Sequence, residues 1–319
     1  MKEIGGYIEF EYFNGKMLHE DGIKLNCGRN ALEYLIQANG IKKILMPCFM
    51  CDSCDDVLEK NDVRVRLYHI DIDFKPVLDY LEDEEWLYVV NFYGQLSKEY
   101  LYYLKEKYPR MIVDNAQAYF DEPVPGIPSI YTCRKFFGVT DGAILYSNKT
   151  IEVCEQDESF KRMQFLLGRF ERSASEFYMD YVNNNNMFKR AGIKRMSKLT
   201  ENLLHGINYD EIRKIRTENF RYLHKELSGM NKLSLVIPEG PFMYPFFVEK
   251  GNELRKALQE DKIFIPTLWP AVFNRCNENE LEYSMAQNIL PLPVDQRYGI
   301  NEMAYVVEMI NKLLGAITS

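Results

Sequence analysis

The sequence predicts an α/β protein, with a mainly parallel sheet sandwiched by helices in a large domain and a smaller C-terminal α/β domain. Strand-like and helix-like segments alternate through the first two-thirds of the chain. Several strand-like segments, such as KILM and WLYVVN, are apolar throughout. The pattern changes near residue 150, and 319 residues suit one large domain plus a smaller one. We place the domains at 1–205 and 206–319, with an N-terminal segment that could pack on the small domain.

The elements of the large domain follow from the spacing of apolar residues and from Pro and Gly breaks. Helices are predicted at 30–38, 52–60 and 99–108, and strands at 43–46, 63–69, 86–91, 111–113 and 142–146. Ligands of parallel sheets bind beyond the carboxyl ends of the strands. Asn91 and Asp114 fall at such ends, and the turn at Gly28 opens a helix. We therefore predict that a ligand site lies at these positions.

The remainder of the chain is more charged and then richer in proline. Residues 155–180 are predicted to be one long helix, the asparagine run 183–186 a loop, and 203–227 a connecting helix. Short strands are predicted in SLVIPEGPFMYPFFVE, IFIPTLWP and ILPLPV, and helices at 253–260 and 302–314. These elements would form the smaller domain.

Composition excludes several classes of partner. The net charge is −8 and no long basic stripe is present, which disfavours nucleic acid and anionic membrane surfaces as partners. No segment has the 18 or more apolar residues of a membrane helix, and residues 1–20 lack the features of a signal peptide. Seven cysteines, an odd number, suit reduced thiols. We therefore expect a soluble, cytoplasmic protein.

The stretch NCGRNALEYL suggests an anion site. A glycine at the start of a helix leaves backbone N–H groups exposed at the positive end of the helix dipole. Gly28 occupies this position, and the guanidinium of Arg29 would suit a phosphate. The alternative is an ordinary helix start with a surface arginine, and this stretch alone does not decide between them.

The stretch VDNAQA places a carboxylate at the end of a buried strand. Asp114 must be hydrogen-bonded or paired there, because an unpartnered buried charge is costly. It either caps the following turn or keeps the nitrogen of a heterocyclic cofactor protonated. Both readings stay open on these residues.

The cysteines of PCFMCDSC have the CxxCxxC spacing of some iron–sulfur ligand sets. Cys48, Cys51 and Cys54 would need a fourth ligand, and Cys27 is the only cysteine near them in sequence. The four histidines form no spaced ligand pattern. We favour structural or pocket-lining cysteines and predict no metal.

The stretch TCRKFFGVTDG places Lys135 between apolar residues and a glycine-bearing turn. Locally, the lysine could end a strand and point to water, or it could be held at the mouth of a pocket. A lysine acts as a nucleophile when its surroundings make the neutral amine available. Arg134, Phe136, Phe137 and Asp141 are the candidates for such surroundings.

The order of these motifs resembles a known family. CGRNAL, MPCFMC, NFYGQ, VDNAQA, the lysine segment with DGAIL, and KRMSKLTENLL follow one another as in the DegT/StrS group of sugar aminotransferases, which are fold-type-I pyridoxal-phosphate (PLP) enzymes. The resemblance extends from Ile4 to near Pro291. It implies PLP as cofactor, transfer of an amino group, usually from glutamate, to a nucleotide-linked keto sugar, and an active site at the interface of a homodimer.

The resemblance also implies roles for individual residues. Lys135 would bind PLP as a Schiff base and then move the proton during transamination. Asp114 would pair with the pyridinium nitrogen, and Gln117 would contact the ring hydroxyl. The phosphate would be held by Gly28 and Arg29, with a hydroxyl from Thr132.

Some positions depart from the family pattern. Ile130 replaces the usual serine five residues before the lysine, so Thr132 is expected to substitute for it. Cys51 stands where an aromatic ring usually stacks on the cofactor, so its thiol, Phe49 or Tyr93 would lie against the ring.

Two further positions concern the substrate. The asparagine that family members supply from the partner chain aligns with Ile193, which leaves Arg195 as the matching arginine. Tyr93 and Arg195 are therefore the predicted substrate-binding residues. Two alternatives remain for the function: a PLP enzyme with another small keto or amino substrate, and a catalytically silent regulatory relative.

Overall fold

A computed structural model describes residues 4–318 of the chain. Its main element is an eight-stranded sheet in the order β1-β8-β7-β6-β5-β2-β3-β4. The five central strands β3, β2, β5, β6 and β7 are parallel, whereas β8 and β4 pair antiparallel with their neighbours. The strands are β1 (Ile23–Leu25), β2 (Lys43–Pro47), β3 (Arg64–Ile70), β4 (Pro76–Val77), β5 (Trp86–Val90), β6 (Met111–Asp114), β7 (Ser129–Thr132) and β8 (Ala143–Tyr146).

Helices connect these strands and continue beyond them. They are α1 (Gly28–Asn39), α2 (Asp55–Lys60), α3 (Lys98–Lys107), α4 (Gln164–Glu171), α5 (Tyr178–Met187), α6 (Lys198–His205), α7 (Tyr209–Leu227), α8 (Gly251–Glu260), α9 (Val272–Arg275), α10 (Leu281–Asn288) and α11 (Ile300–Thr318). Short 3₁₀ turns lie at Asp52–Cys54, Phe92–Gly94, Cys133–Lys135 and Phe160–Arg162. Within residues 4–318, every helix is too short or too polar to cross a bilayer.

Local chemistry fixes the ends of these helices. The side chain of Ser97 accepts a hydrogen bond from Tyr100 N at the start of α3, and Ser197 caps α6 in the same way. Gly40 ends α1 with a φ of 65°, a left-handed conformation that glycine adopts without strain. These caps define where α1 ends and where α3 and α6 begin.

A second, two-stranded sheet pairs β9 (Met243–Phe247) antiparallel with β10 (Ile289–Pro293). Pro245 lies opposite Pro291, which two strands that are both edges can tolerate. A separate apolar cluster packs this sheet against α7, α8 and α11, with Phe220, Leu254 and Ile310 fully buried. The C-terminal part of the chain thus has an apolar core of its own.

The structure confirms the predicted α/β class with a mainly parallel sheet. The single helix predicted at 155–180 is wrong, because that stretch is divided into the 3₁₀ turn Phe160–Arg162, α4 and the start of α5. The loop predicted at 183–186 is also wrong. Asn184 lies within α5, donates to the carbonyl of Thr140 at 2.9 Å and is buried, so tertiary hydrogen bonds override the low helix propensity of asparagine.

Two predictions for the C-terminal part also need correction. The predicted helix 203–227 is divided into α6 and α7 by Gly206, and IFIPTLWP forms no strand. Its prolines, Pro266 and Pro270, lack the N–H group that a sheet ladder needs. The N-terminal segment runs beside α6, where the Asn202 side chain accepts from Phe13 N and donates to the Glu11 carbonyl.

Candidate functional site

Asp114 lies where β6 ends, at the carboxyl edge of the parallel strands. The hydroxyl of Tyr88, on β5, donates to Asp114 Oδ2 at 2.8 Å, and the backbone N–H of Ala116 donates to Oδ1 at 2.8 Å. Burial, together with the neighbouring Asp114 charge, raises the pKa of Tyr88, so this phenol stays protonated and remains a donor. The carboxylate is thereby held in one orientation.

Gly28 begins α1 next to the end of β7. A Cβ atom at this position would lie 3.9 Å from Ile130 Cγ2, and the residue before it, Cys27, provides no side-chain cap. The first N–H groups of α1 therefore remain available to an anion. The turn is fixed by Asn26, whose side chain accepts from Cys27 N at 3.1 Å and from Asn30 at 3.0 Å.

Two arginines lie at this helix start. Arg29 Nη1 and Arg134 Nε are both buried, and neither finds a hydrogen-bond partner among the described residues. Burial lowers the pKa of Arg134, and the neighbouring Arg162 and Arg29 charges add to this. Arg134 also donates to Asn185 and lies 4.8 Å from the ring centroid of Phe188. Buried guanidinium N–H groups without acceptors are costly, so this arrangement suits a bound anion.

Lys135 ends the 3₁₀ turn that directly follows β7. Its side chain is exposed, while Phe136 and Phe137 beyond it are buried. The Nζ atom lies 5.5 Å from the ring centroid of Phe242, in the segment leading into β9. The lysine side chain is therefore open to solvent, while the backbone that carries it is anchored in the core.

Arg216 provides this anchoring and was not predicted from the sequence. This fully buried residue of α7 donates to the carbonyls of Phe136 at 3.2 Å and Pro241 at 2.9 Å, and to Gln296 Oε1 at 2.8 Å. Burial lowers its pKa to about 10, which still leaves the guanidinium charged at neutral pH. The only signal in the sequence was an arginine at an apolar position of the helical pattern.

Gln117 and Tyr93 are linked through the backbone. Gln117 Oε1 accepts from Tyr93 N at 2.8 Å, and Tyr93 has a φ of 54°, which this hydrogen bond helps to hold. The Tyr93 ring is buried against Phe74 and Trp269. Phe49 packs against the same Trp269 ring at 4.6 Å. Both aromatic residues considered for stacking therefore lie in an apolar cluster.

Cys51 and Thr132 both lie near the carboxyl ends of parallel strands, Cys51 after β2 and Thr132 at the end of β7. Cys51 is half-buried, and its Sγ is 2.9 Å from Ser53 Oγ. The nearby Cys54 thiol is close enough to both Asp114 and Arg29 to interact with their charges. The carboxylate and the arginine therefore belong to one site. Thr132 is buried at the last position of β7.

Arg195 and Asp141 have partners of their own. Arg195 is exposed, lies beside Leu25 in a surface groove and donates to the Cys154 carbonyl at 3.4 Å. None of the hydrogen bonds or ion pairs within residues 4–318 joins it to Lys135 or Asp114. Asp141, fully buried, accepts from Ser197 N at 2.7 Å and Ser197 Oγ at 2.8 Å. It ties the segment after Lys135 to α6 rather than facing the lysine.

A buried amide–carboxylate network follows β5 and β6, and it predicts a pH-dependent stability. Asn91 Nδ2 donates to Asp121 Oδ2 at 2.9 Å and to Asn115 Oδ1 at 3.1 Å. Burial raises the pKa of Asp121 to about 6, although the Asn91 hydrogen bond opposes this. The folded state therefore holds this proton more tightly than the unfolded state, and the associated stability is lost as pH rises from about 4 through 6.

We expect Asp121→Asn to raise the free energy of unfolding by about 2–3 kcal/mol at pH 8 and by little at pH 4. Urea unfolding at both pH values measures the difference. Asp79→Asn, at an exposed position, is the matched control and should change neither value. Equal effects of Asp121→Asn at pH 4 and pH 8 would contradict the assignment.

The similarity of the chain to known proteins lies in its fold. No protein-family model matches the chain, and no curated protein matches it significantly. Solved structures do match: a sugar aminotransferase from Micromonospora echinospora has a TM-score of 0.63 at 15% identity, over 91% of this chain and 86% of that one. The chain has the fold of sugar aminotransferases.

Two further structures support the same fold. A DegT/DnrJ/EryC1/StrS aminotransferase from Brucella abortus has a TM-score of 0.59 at 13% identity, over 91% of this chain and 85% of that one. A Streptococcus pneumoniae protein described as a sugar aminotransferase, solved in apo, PMP and PLP forms, reaches 0.64 at 13% identity in its apo form, over 93% of this chain and 88% of that one. The predicted fold-type-I architecture is therefore confirmed.

Proposed function

We propose that the protein is a PLP-dependent aminotransferase that acts on a nucleotide-linked keto sugar, with glutamate as amino donor. The observation that carries the proposal is the uncapped start of α1 with two half-buried arginines, Arg29 and Arg134, whose buried N–H groups are unused, together with Lys135 in the turn that follows β7. The aminotransferase fold supports the same conclusion.

The residues present fit the cofactor. The phosphate would accept from the N–H groups at Gly28 and from Arg29 and Arg134, which satisfies the buried donors that lack acceptors. The oriented carboxylate of Asp114 suits a protonated ring nitrogen. We propose that Gln117 and Cys51 contact the ring and that Thr132 adds a phosphate hydroxyl.

The residues of this chain would perform the proton transfers. When bound, PLP supplies an electron sink that stabilises negative charge at the reacting carbon. Asp114 would keep the proton on the ring nitrogen, because its negative charge stabilises the cation. The Lys135 amine, exposed at the strand end, would take the proton from the reacting carbon of the amino donor and return it to that of the acceptor.

The wider assignments belong to the same proposal. We place the homodimer interface at the exposed apolar residues of α4 and α5, since Phe170 is 91% exposed and Met179 63% exposed. We retain the division into domains at 205–206, between α6 and α7, and Tyr93 and Arg195 as substrate contacts. A cytoplasmic location is supported by cysteines that are all free.

A half-reaction tests the function. The purified protein, loaded with PLP and mixed with glutamate, should form 2-oxoglutarate and the amine form of the cofactor, without any sugar. A panel of nucleotide-linked keto sugars and small keto acids should then identify the acceptor. Bound PLP with no 2-oxoglutarate would contradict the proposal and favour a silent relative, while turnover with keto acids alone would contradict the sugar assignment.

The arginines predict a loss of cofactor affinity. We expect Arg29→Ala and Arg134→Ala each to weaken PLP binding by about 10- to 100-fold, because each removes a charge-assisted hydrogen bond to phosphate. Fluorescence titration of the apo protein with PLP measures this. The control is Arg221→Ala on the exposed face of α7. If pyridoxal without phosphate loses as much affinity as PLP, the arginines do not hold the phosphate.

A further inference from the structure

Four side chains with metal-binding chemistry meet away from the proposed cofactor site. Cys48 Sγ lies 3.7 Å from His69 Nδ1, and His69 Nδ1 lies 3.1 Å from Glu282 Oε1. These three atoms are all within 4.8 Å of one another. The Cys276 thiol is a hydrogen-bond partner of the Cys48 thiol. It also lies close enough to Glu282 to interact with the charge of that carboxylate.

The four residues come from distant parts of the chain. Cys48 directly follows β2, and His69 lies on β3, so both belong to the main sheet. Cys276 directly follows α9, and Glu282 lies on α10, more than 200 residues later. A ligand held by all four would therefore tie the C-terminal helices to the carboxyl ends of β2 and β3.

We propose that Cys48, His69, Cys276 and Glu282 bind a structural zinc ion. Zinc–sulfur bonds of about 2.3 Å and zinc–nitrogen bonds of about 2.0–2.1 Å, at tetrahedral angles, place sulfur roughly 3.6 Å from nitrogen and nitrogen roughly 3.3 Å from oxygen. The observed 3.7 and 3.1 Å are close to these spacings. Thiolate, imidazole and carboxylate are each ligands that zinc binds, and the four side chains would complete a tetrahedral site.

The burial of the group also favours a cation. Glu282, Cys48 and Cys276 are only 1%, 2% and 6% exposed. Glu282 accepts from Ile70 N at 2.7 Å, and its ion-pair partner among the described residues is His69. A zinc ion would neutralise this buried carboxylate and allow both thiols to ionise. The His69 side chain is 56% exposed, which gives the ion a route from solvent.

The proposed zinc ligands differ from the three cysteines that the CxxCxxC motif would bring together. Cys48 points to His69 and Cys276, whereas Cys51 contacts Ser53 and Cys54 lies near Asp114. The three cysteines of that motif thus divide between two sites. The zinc proposal shares no residue with the proposed PLP site and does not depend on the aminotransferase activity.

Metal content and cobalt spectroscopy test the site. Full-length protein, reduced and treated with chelator, should retain about one zinc per chain after zinc addition and gel filtration. Cobalt in its place should give a thiolate-to-metal charge-transfer band and the intense visible bands of tetrahedral coordination. His69→Ala, at the half-exposed position, should lose most of the bound metal and the zinc-induced rise in melting temperature without unfolding the protein.

Matched variants separate this site from other thiols. Cys48→Ser and Cys276→Ser should each remove part of the charge-transfer intensity, while Cys154→Ser, at an exposed cysteine, should leave it unchanged. Zinc retention unaffected by His69→Ala, or absent from the folded wild type, would overturn the proposal. A Cys48–Cys276 disulfide found by mass spectrometry of protein kept under reducing conditions would overturn it as well.

Discussion

Replacing Lys135 with alanine is expected to abolish both covalent binding of PLP and transamination. The lysine lies in the turn that directly follows β7, and the start of α1 at Gly28 lies beside Ile130 of that strand. In the proposed function Lys135 both binds the cofactor and transfers a proton, so its removal should slow the glutamate half-reaction by at least roughly 10²–10⁴-fold. In the wild type, borohydride treatment of the PLP-loaded protein should fix the cofactor to the peptide containing Lys135.

Controls distinguish this effect from unfolding. Lys135 is exposed, so its truncation should leave the circular dichroism spectrum and melting temperature of the apo protein unchanged. Lys161→Ala, at another exposed lysine that lies over an aromatic ring, should retain full activity. A borohydride-stable adduct on a different lysine, or normal turnover in Lys135→Ala, would refute the assigned role.

The features that could be predicted from the sequence are those that depend only on residues close together along the chain. Gly28 opens a helix and Asp114 ends a strand, and parallel topology then brings both to the same edge of the sheet. Lys135 could not be assigned from its neighbours alone, because a strand-ending lysine is common. The role proposed for it rests on the order of the surrounding motifs, which resembles that of the DegT/StrS group.

Other features depend on contacts that local sequence does not encode. Asn184 is helical because Thr140, 44 residues earlier, accepts its amide hydrogen bond. Glu282 meets His69 across 213 positions, so no spacing rule for metal ligands could have found the pair. Arg216 lies on the buried face of α7 with Phe220, but the carbonyls that it binds are 25 and 80 positions away in the sequence.

Arg216→Met should produce the largest loss of stability among the variants proposed. The arginine supplies the donors for the Pro241 and Phe242 carbonyls, and shares the Phe136 carbonyl with Gln296 Nε2. Leaving two buried carbonyls without donors costs about 1–3 kcal/mol each, so the free energy of unfolding should fall by about 2–6 kcal/mol. Urea unfolding of the apo protein measures this, with Arg221→Met on the exposed face of α7 as the control.

A conservative variant separates this stabilising role from an effect on the lysine. Arg216→Lys keeps the positive charge but loses the fork that reaches three carbonyls, so it should recover only part of the stability. Because the Phe136 carbonyl directly follows Lys135, loosening it should also slow the glutamate half-reaction at temperatures where the variant is fully folded. A half-reaction rate equal to wild type under those conditions would show that Arg216 stabilises the fold without positioning Lys135.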